Sequence, residues 1–401
     1  MEIFTSSYAA TQFSTIPFTT VDSLLDESES QHHQEFIRFL QHAYSLHVPV
    51  LPLTWEPAFD ALGPDGATGR VNQSALNSEF QLAYKRFNPH VTDPRFTTEA
   101  YRSLQYRAMA SEMTVLSCSG VQSHPNIITL QGICFEISST SSVWPVLVFE
   151  KCALGDLEQC VSRPEFLDPE HLLSLCGEVA KALKVMHQCG MSPRSTRLDY
   201  FQHDYIDVAH GDLKPGNILI QEDVDQTSQG VKVADFGFSS YKSTDEDFVR
   251  VARTEPWEAP EWHSRGFTLE AAKAMDIYSF GLVCMWLFFR KELLVDLDFP
   301  STTFAKAFAR QDPEATAKIQ ALKRSGDDLL AYALRLLERK PDLENETRAR
   351  LRQGLILSLA PDPKSRPSSL DPFIKLFCDP NYITYDYPSN LSAIFTNSST
   401  L

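Results

Sequence analysis

The densest chemical signal in this chain is one short run, His210-Gly211-Asp212-Leu213-Lys214-Pro215-Gly216-Asn217, followed at once by the apolar Ile218-Leu219-Ile220. A second acidic group lies further on, in Asp235-Phe236-Gly237, directly after the strand-like Val231-Lys232-Val233-Ala234. Asp235 and Asn217 are hard oxygen donors of the kind that Mg²⁺ or Mn²⁺ takes. Upstream, Lys85 ends another strand-like stretch, Gln81-Leu82-Ala83-Tyr84-Lys85. A lysine drawn into the buried face of a strand needs an anion beside it. A glycine-rich stretch precedes it, Leu62-Gly63-Pro64-Asp65-Gly66-Ala67-Thr68-Gly69-Arg70-Val71, and backbone amides around Gly66 to Gly69 can cradle phosphates. Hard cations, a buried ammonium and a phosphate cradle point together to phosphate chemistry.

In this order the motifs resemble those of the protein kinase family. The run at 210–217 resembles its catalytic loop, His-Arg-Asp-x-x-x-x-Asn. The resemblance implies that Asp212 accepts the proton of a substrate hydroxyl and that Asn217 reaches a metal ion. Lys214, two residues after the Asp, matches members acting on Ser/Thr, where it stabilises charge on the moving phosphoryl. Asp235-Phe236-Gly237 resembles the DFG motif, which makes Asp235 a ligand of the Mg²⁺ (or Mn²⁺) that bridges the ATP phosphates. Glu258-Ala259-Pro260-Glu261, Asp276-Ile277-Tyr278-Ser279-Phe280-Gly281 and Arg366-Pro367 resemble the later family elements. They imply a Glu261–Arg366 pair that anchors the activation segment, and an Asp276 that holds the catalytic-loop backbone. Thr254 matches the threonine that hydrogen-bonds the catalytic Asp and Lys in Ser/Thr kinases. The chain departs from the pattern at Gly211, where an arginine is usual, and at 190–207, which lengthens the connection before the catalytic loop.

The smaller lobe follows the same resemblance. Lys85 would meet the α/β-phosphates and a helix glutamate. Glu112, in Ser111-Glu112-Met113-Thr114-Val115-Leu116 ahead of His124-Pro125-Asn126-Ile127, is the implied partner. Glu99 is the other candidate, because the linker after Lys85 is longer than usual. Gly66, Gly69 and Val71 fall in register with the family's Gly-x-Gly-x-x-Gly-x-Val, while Pro64 stands where its first Gly belongs. Val148-Phe149-Glu150-Lys151-Cys152, before Gly155-Asp156-Leu157, looks like the hinge. The implied roles are Phe149 at the back of the adenine pocket, the Glu150 carbonyl and the Cys152 backbone on adenine, and Asp156 on ribose. Val71, Ala83 and Leu219 would sandwich the ring. The Gly-Asp-Leu-Lys-Pro form is also reminiscent of kinase domains from filamentous fungi.

Periodicity supplies the elements that must position these groups. Residues 1–29 read as loosely ordered. A short helix is predicted over Gln31–Leu46, with Phe36, Ile37, Leu40 and Tyr44 on one face. Strands are predicted at 80–87, 127–137 and 143–149, and a helix over Thr97–Ser117 with Leu104, Ala108, Val115 and Leu116 as its buried stripe. Pro169–His187 is the clearest helix, with Asp168 as N-cap and Pro169 at its first position. Amphipathic helices are expected over Ala315–Arg339 and Glu344–Leu359, and a surface loop over 190–207. Strands first and helices later describe an α+β, bilobal protein kinase-like fold. It has a small antiparallel N-lobe sheet with its αC helix and a larger helical C-lobe. The expected boundaries are an N-terminal extension at 1–54, a kinase domain at 55–378 with lobes meeting near residue 150, and a tail at 379–401.

The 401 residues carry a formal charge of −16. Such a balance repels nucleic-acid backbones and anionic membranes, so neither is expected as a partner. The eight cysteines are scattered without a C-x-x-C pair, which fits free thiols in a reducing compartment. No apolar leader is read at the start, and Ile277–Phe289 is too short to span a bilayer. A cytoplasmic enzyme acting on protein substrates is the expectation. Two other readings stay open: a pseudokinase that binds nucleotide as a scaffold, and a small-molecule kinase of the aminoglycoside or choline kinase type, which also uses His-Gly-Asp.

Overall fold

The computed structural model describes residues 27–54, 70–75, 81–86, 99–137, 143–189, 207–222, 229–241, 248–295 and 313–379. The expectations for the first 26 residues, for Gly66 and Gly69, for the connection at 190–206 and for the tail beyond Asp379 fall outside them. The described residues form a small N-terminal sheet with flanking helices and a mostly helical remainder, the α+β architecture of a protein kinase.

The N-terminal part runs α1 (Glu27–Ser45), β1 (Val50–Thr54), β2 (Arg70–Ala75), β3 (Gln81–Arg86), α2 (Glu99–Leu116), α3 (Ser119–Gln122), β4 (Leu130–Ile137) and β5 (Val143–Glu150). The sheet order is β1-β4-β5-β3-β2. It is antiparallel except at β1, which runs parallel to β4. β1 arrives from a helix and not from a hairpin, so no tight turn forces the antiparallel direction. The apolar run of β5 is buried on both faces. Leu147 and Phe149 join the main core, while Val146 and Val148 join Tyr84 and Cys134 in a smaller cluster.

Both N-terminal helices turn inward a stripe that matches the predicted one only in part. In α1 the packed residues are Phe36, Phe39, Leu40 and Ala43, whereas Ile37 and Tyr44 are exposed. The reason lies in the partners. Phe36 meets Phe135 of β4 edge-on at 5.8 Å, Phe39 lies 6.0 Å from Tyr106 of α2, and His42 Nε2 lies 2.8 Å from Thr114 Oγ1. In α2, Ala108, Val115 and Leu116 are buried as expected, but Leu104 is exposed; Gln105, Tyr106, Met109, Glu112 and Met113 complete the inner face. α1 and β1 therefore pack onto the sheet and α2, although both lie before residue 55.

The remainder contains α4 (Leu157–Cys160), α5 (Pro169–His187), β6 (Val208–Ala209), β7 (Ile218–Glu222), β8 (Gln229–Val233), β9 (Ser240–Tyr241), α6 (Leu269–Val295), α7 (Pro313–Arg324), α8 (Asp328–Glu338), α9 (Asn345–Ser358) and α10 (Asp371–Cys378). α5 has the predicted bounds, and the Asp168 carboxylate accepts the free N–H groups of Glu170 and His171 at its start. The core segment read at Ile277–Phe289 is part of a longer helix, α6, which bends at Phe289. Its length and composition would suffice to cross a membrane, but 83% of its apolar window is buried within the fold. The single helix predicted over Ala315–Arg339 is two helices. Gly326, at φ +70°, turns the chain between α7 and α8.

Candidate active site

β3 carries Lys85 to the junction of the lobes. In the ladder, Ala83 lies opposite Phe149 and Lys85 opposite Leu147, so Ala83 and Lys85 share one face. Val71 of β2 is the register partner of Lys85 on the other side. Lys85 Nζ donates to Glu112 Oε2 at 2.7 Å and to Asp235 Oδ1 at 2.7 Å. Of the two glutamates weighed from the sequence, Glu112 makes the contact. Lys85 and Glu112 are both buried. Burial alone would lower the lysine's pKa, but the carboxylates of Asp235 and Glu112 outweigh it and hold the ammonium above its ordinary value. Burial and the Asp235 charge push Glu112 up, against the pull of Lys85 and the Phe236 N–H.

Asp235 adopts a left-handed backbone (φ +63°), uncommon for a residue with a Cβ. The carboxylate meets Lys85, while Phe236 is fully buried beside His210, ring centroids 5.4 Å apart. The start of the following segment is held too. Ser111 Oγ of α2 donates to Ser239 O, and Ser239 Oγ donates to His210 O. Ser239 is buried.

The loop before β7 is fixed from below by Asp276 of α6. Its Oδ2 accepts the His210 N–H at 2.7 Å and its Oδ1 the Gly211 N–H at 2.9 Å, and His187 Nε2 lies 2.9 Å from Oδ2. His210 Nδ1 accepts the Asp212 N–H, so Nε2 carries the proton given to Ala234 O. Gly211 sits at φ +76°, and a Cβ there would lie 2.8 Å from Phe238 O. An arginine at this position would require the activation segment to move.

Asp212 is 5% exposed. Its Oδ2 accepts from Lys214 Nζ at 2.5 Å and Asn217 Nδ2 at 3.3 Å, while its Oδ1 is buried with no partner among the described residues. A buried carboxylate oxygen left unpaired is costly and uncommon. Thr254 lines the same recess as Asp212, but its hydroxyl bonds neither Asp212 nor Lys214, contrary to expectation. It acts instead through its carbonyl, which accepts the Trp257 N–H at 2.7 Å in the turn that follows.

The residues expected to hold the divalent cation fit that task. Asn217 Nδ2 donates to Asp212 O at 2.8 Å, which leaves its amide oxygen for a cation. Lys85, Glu112 and Asp235 form a triad with one positive and two negative charges, so a cation at Asp235 relieves a net negative cluster.

At the hinge, Leu154 N–H bonds Ile220 O, Ile220 N–H bonds Gly155 O at 2.8 Å, and Asp156 pairs with Leu219 in a β-bridge. This brings Leu219 and Asp156 together. The Asp156 carboxylate caps α4 by accepting the Gln159 N–H and side-chain amide at 2.9 and 2.8 Å. Cys152 is buried, and burial raises its thiol to about 12. The Glu150 carboxylate turns to Lys232 of β8 and the Thr129 N–H. Farther out, Arg366 forms a two-pronged contact with Glu261 at 2.5 and 3.0 Å and lies over the Tyr278 ring. Sequence reasoning missed Ser111, His187 and Lys232. None has a distinctive spacing, and only their partners reveal them.

The sequence profile of the protein kinase domain matches residues 60–371. The chain belongs to the protein kinase family. It is similar to a probable serine/threonine-protein kinase of Dictyostelium discoideum, 26% identical over 220 residues that cover 55% of this chain and 11% of that protein. It is also similar to a probable receptor-like protein kinase of Arabidopsis thaliana (30% identical over 168 residues; 40% of this chain, 29% of the relative). A leucine-rich repeat receptor protein kinase of the same plant is 28% identical over 234 residues, covering 57% of this chain and 16% of the relative. The chain thus spans less than a third of the length of each of these curated relatives.

Proposed function

We propose that this chain is an active, ATP-dependent kinase that transfers the γ-phosphate to Ser or Thr hydroxyls of protein substrates. The observation that carries the reading is the unpartnered, buried Oδ1 of Asp212, held beside Lys214 and Asn217 and backed by a formed Lys85–Glu112–Asp235 triad. Asp212 takes the acceptor's proton, Lys214 offsets charge on the transferred group, and Lys85 orients the α/β-phosphates. Asp235 and Asn217 would hold Mg²⁺, which supplies charge neutralisation along the triphosphate. The adenine would lie between Val71, Ala83 and Leu219, along the backbone of Glu150 and Cys152, with Asp156 near the ribose. Gly66 and Gly69 would cover the phosphates. The catalytic unit would span 55–378, with α1 and β1 attached to it.

A nucleotide-binding scaffold is the second reading, and Pro64 in place of the first loop glycine favours it. The Glu261–Arg366 pair speaks against a small-molecule kinase, whose family lacks this anchored segment. Incubation with γ-labelled ATP, Mg²⁺ and myelin basic protein tests the reading. Label on Ser and Thr of the acceptor is the expected result. Nucleotide binding without transfer would favour the scaffold.

The same assay tests regulation. Gly211 offers no cation to a phosphorylated activation segment, while Glu112 and Asp235 already meet Lys85. Phosphatase-treated protein, shown by mass spectrometry to be unmodified at Ser239 to Thr244, is expected to keep its turnover. A loss of tenfold or more, about 1.4 kcal/mol in the barrier, would reject this.

A further inference from the structure

Lys323 lies on α7, far in sequence from every motif, and is 1% exposed. Lysine is among the residues least often buried completely. Its ammonium pairs with no carboxylate among the described residues, yet it donates to two backbone carbonyls, those of Pro256 and Glu258, the latter at 2.7 Å. One turn earlier on the same helix, the Gln320 side-chain amide donates to Glu258 Oε1. From another helix, Ser279 Oγ of α6 donates to Trp257 O at 2.8 Å. Three successive carbonyls, 256 to 258, are thus gripped by side chains from two helices. Trp257 is further pinned edge-on against Trp286 at 6.3 Å.

The gripped segment borders the reactive carboxylate. Thr254, Trp257, Glu258 and Ala259 line the same recess as Gly211 and Asp212. It closes into a turn through bonds from the Trp257 and Glu258 N–H groups to Thr254 O. An acceptor whose hydroxyl meets Asp212 must therefore pass its backbone beside this turn. The lysine's burial lowers its pKa to about 8, with Glu258 and Glu255 opposing the shift. An amine in either protonation state keeps the two N–H bonds that reach these carbonyls.

We infer that Lys323 is a positioning residue for the acceptor substrate: through the carbonyls of Pro256 and Glu258 it fixes the turn against which the acceptor's backbone docks. The inference rests on the protein kinase reading above. A helix outside the motif set would then tune recognition of the protein substrate and leave nucleotide binding alone.

The test is steady-state kinetics of Lys323→Met, which keeps an unbranched side chain one atom shorter and removes its donors. Myelin basic protein and ATP are varied in turn. The expected result is a KM for the protein acceptor raised tenfold or more, with the KM for ATP and the acceptor-independent hydrolysis of ATP within twofold of wild type. Lys323→Gln, of the same reach as the methionine but retaining an N–H donor, should raise the acceptor KM less and serves where the methionine variant does not fold. An unchanged acceptor KM in a folded variant overturns the inference. So does a parallel rise in both KM values, which marks a general structural role, or loss of folding in both variants. Absence of transfer by the wild-type protein overturns the kinase reading itself, and the inference with it.

Discussion

Replacing Asp212 with alanine is expected to lower kcat by about 10²–10⁴-fold, the contribution of a well-placed acid/base group, with little change in ATP affinity. That is about 2.7–5.5 kcal/mol in the barrier. The geometry separates the two effects. Asp212 touches Lys214 and Asn217 through Oδ2 and has no hydrogen-bond partner on Oδ1 among the described residues, whereas the hinge and Lys85 lie on other elements. The loop itself does not hang on the Asp212 side chain. Its backbone is held by Asp276, and Asn217 keeps its bond to Asp212 O, which alanine retains. Turnover at saturating ATP, beside nucleotide titration in the absence of acceptor, measures both quantities. If nucleotide affinity collapsed while turnover per bound ATP held, Asp212 would be a structural residue and the general-base assignment would fail.

Asp235→Asn is expected to abolish transfer and leave the fold intact. Asparagine keeps the shape and an oxygen but loses the charge. In the triad, this changes one cation and two anions into one cation and one anion. The neutral Lys85–Glu112 pair remains, and Phe236 stays packed against His210, so the unfolding midpoint should move little. The site for a hard cation loses its one charged ligand, since Asn217 offers only an amide oxygen. The observable signature is a nucleotide affinity that no longer responds to Mg²⁺ or Mn²⁺, together with label transfer at background. Undiminished phosphorylation by this variant would remove Asp235 from the metal site.

Much of this was legible in the sequence because chemistry fixes residue type and spacing together. Separate motifs implied a Lys85–Glu112 pair, with Glu99 open as its alternative, and Asp235 as a metal ligand; the fold brings Lys85 Nζ to 2.7 Å from both Glu112 and Asp235. The Asp276 grip on the catalytic loop and the Glu261–Arg366 pair were likewise implied by motif order. α5 was legible to the residue because Asp168 and Pro169 are local start signals that need no tertiary partner. Thr254 shows the limit: its type and position suggested a hydroxyl bond to Asp212, but the turn uses its carbonyl.

What the sequence determined by itself is the set of reactive groups, their order, and the family they define. These depend on side-chain identity and on short-range signals that act within a few residues. What only the tertiary structure decided is which faces are inner and which distant groups meet. Periodicity marks apolar positions but not the partner they face, so Ile37, Tyr44 and Leu104 were placed inside, while α1 and α2 turn Phe39, Ala43, Tyr106 and Met109 to the core. Gly326 shows that a single left-handed residue can split one amphipathic pattern into two helices. Nothing in the amphipathic pattern over Ala315–Arg339 singles out Lys323, and its burial follows from where α7 packs. A buried ammonium needs acceptors, and only the folded chain brings the carbonyls of Pro256 and Glu258 to it.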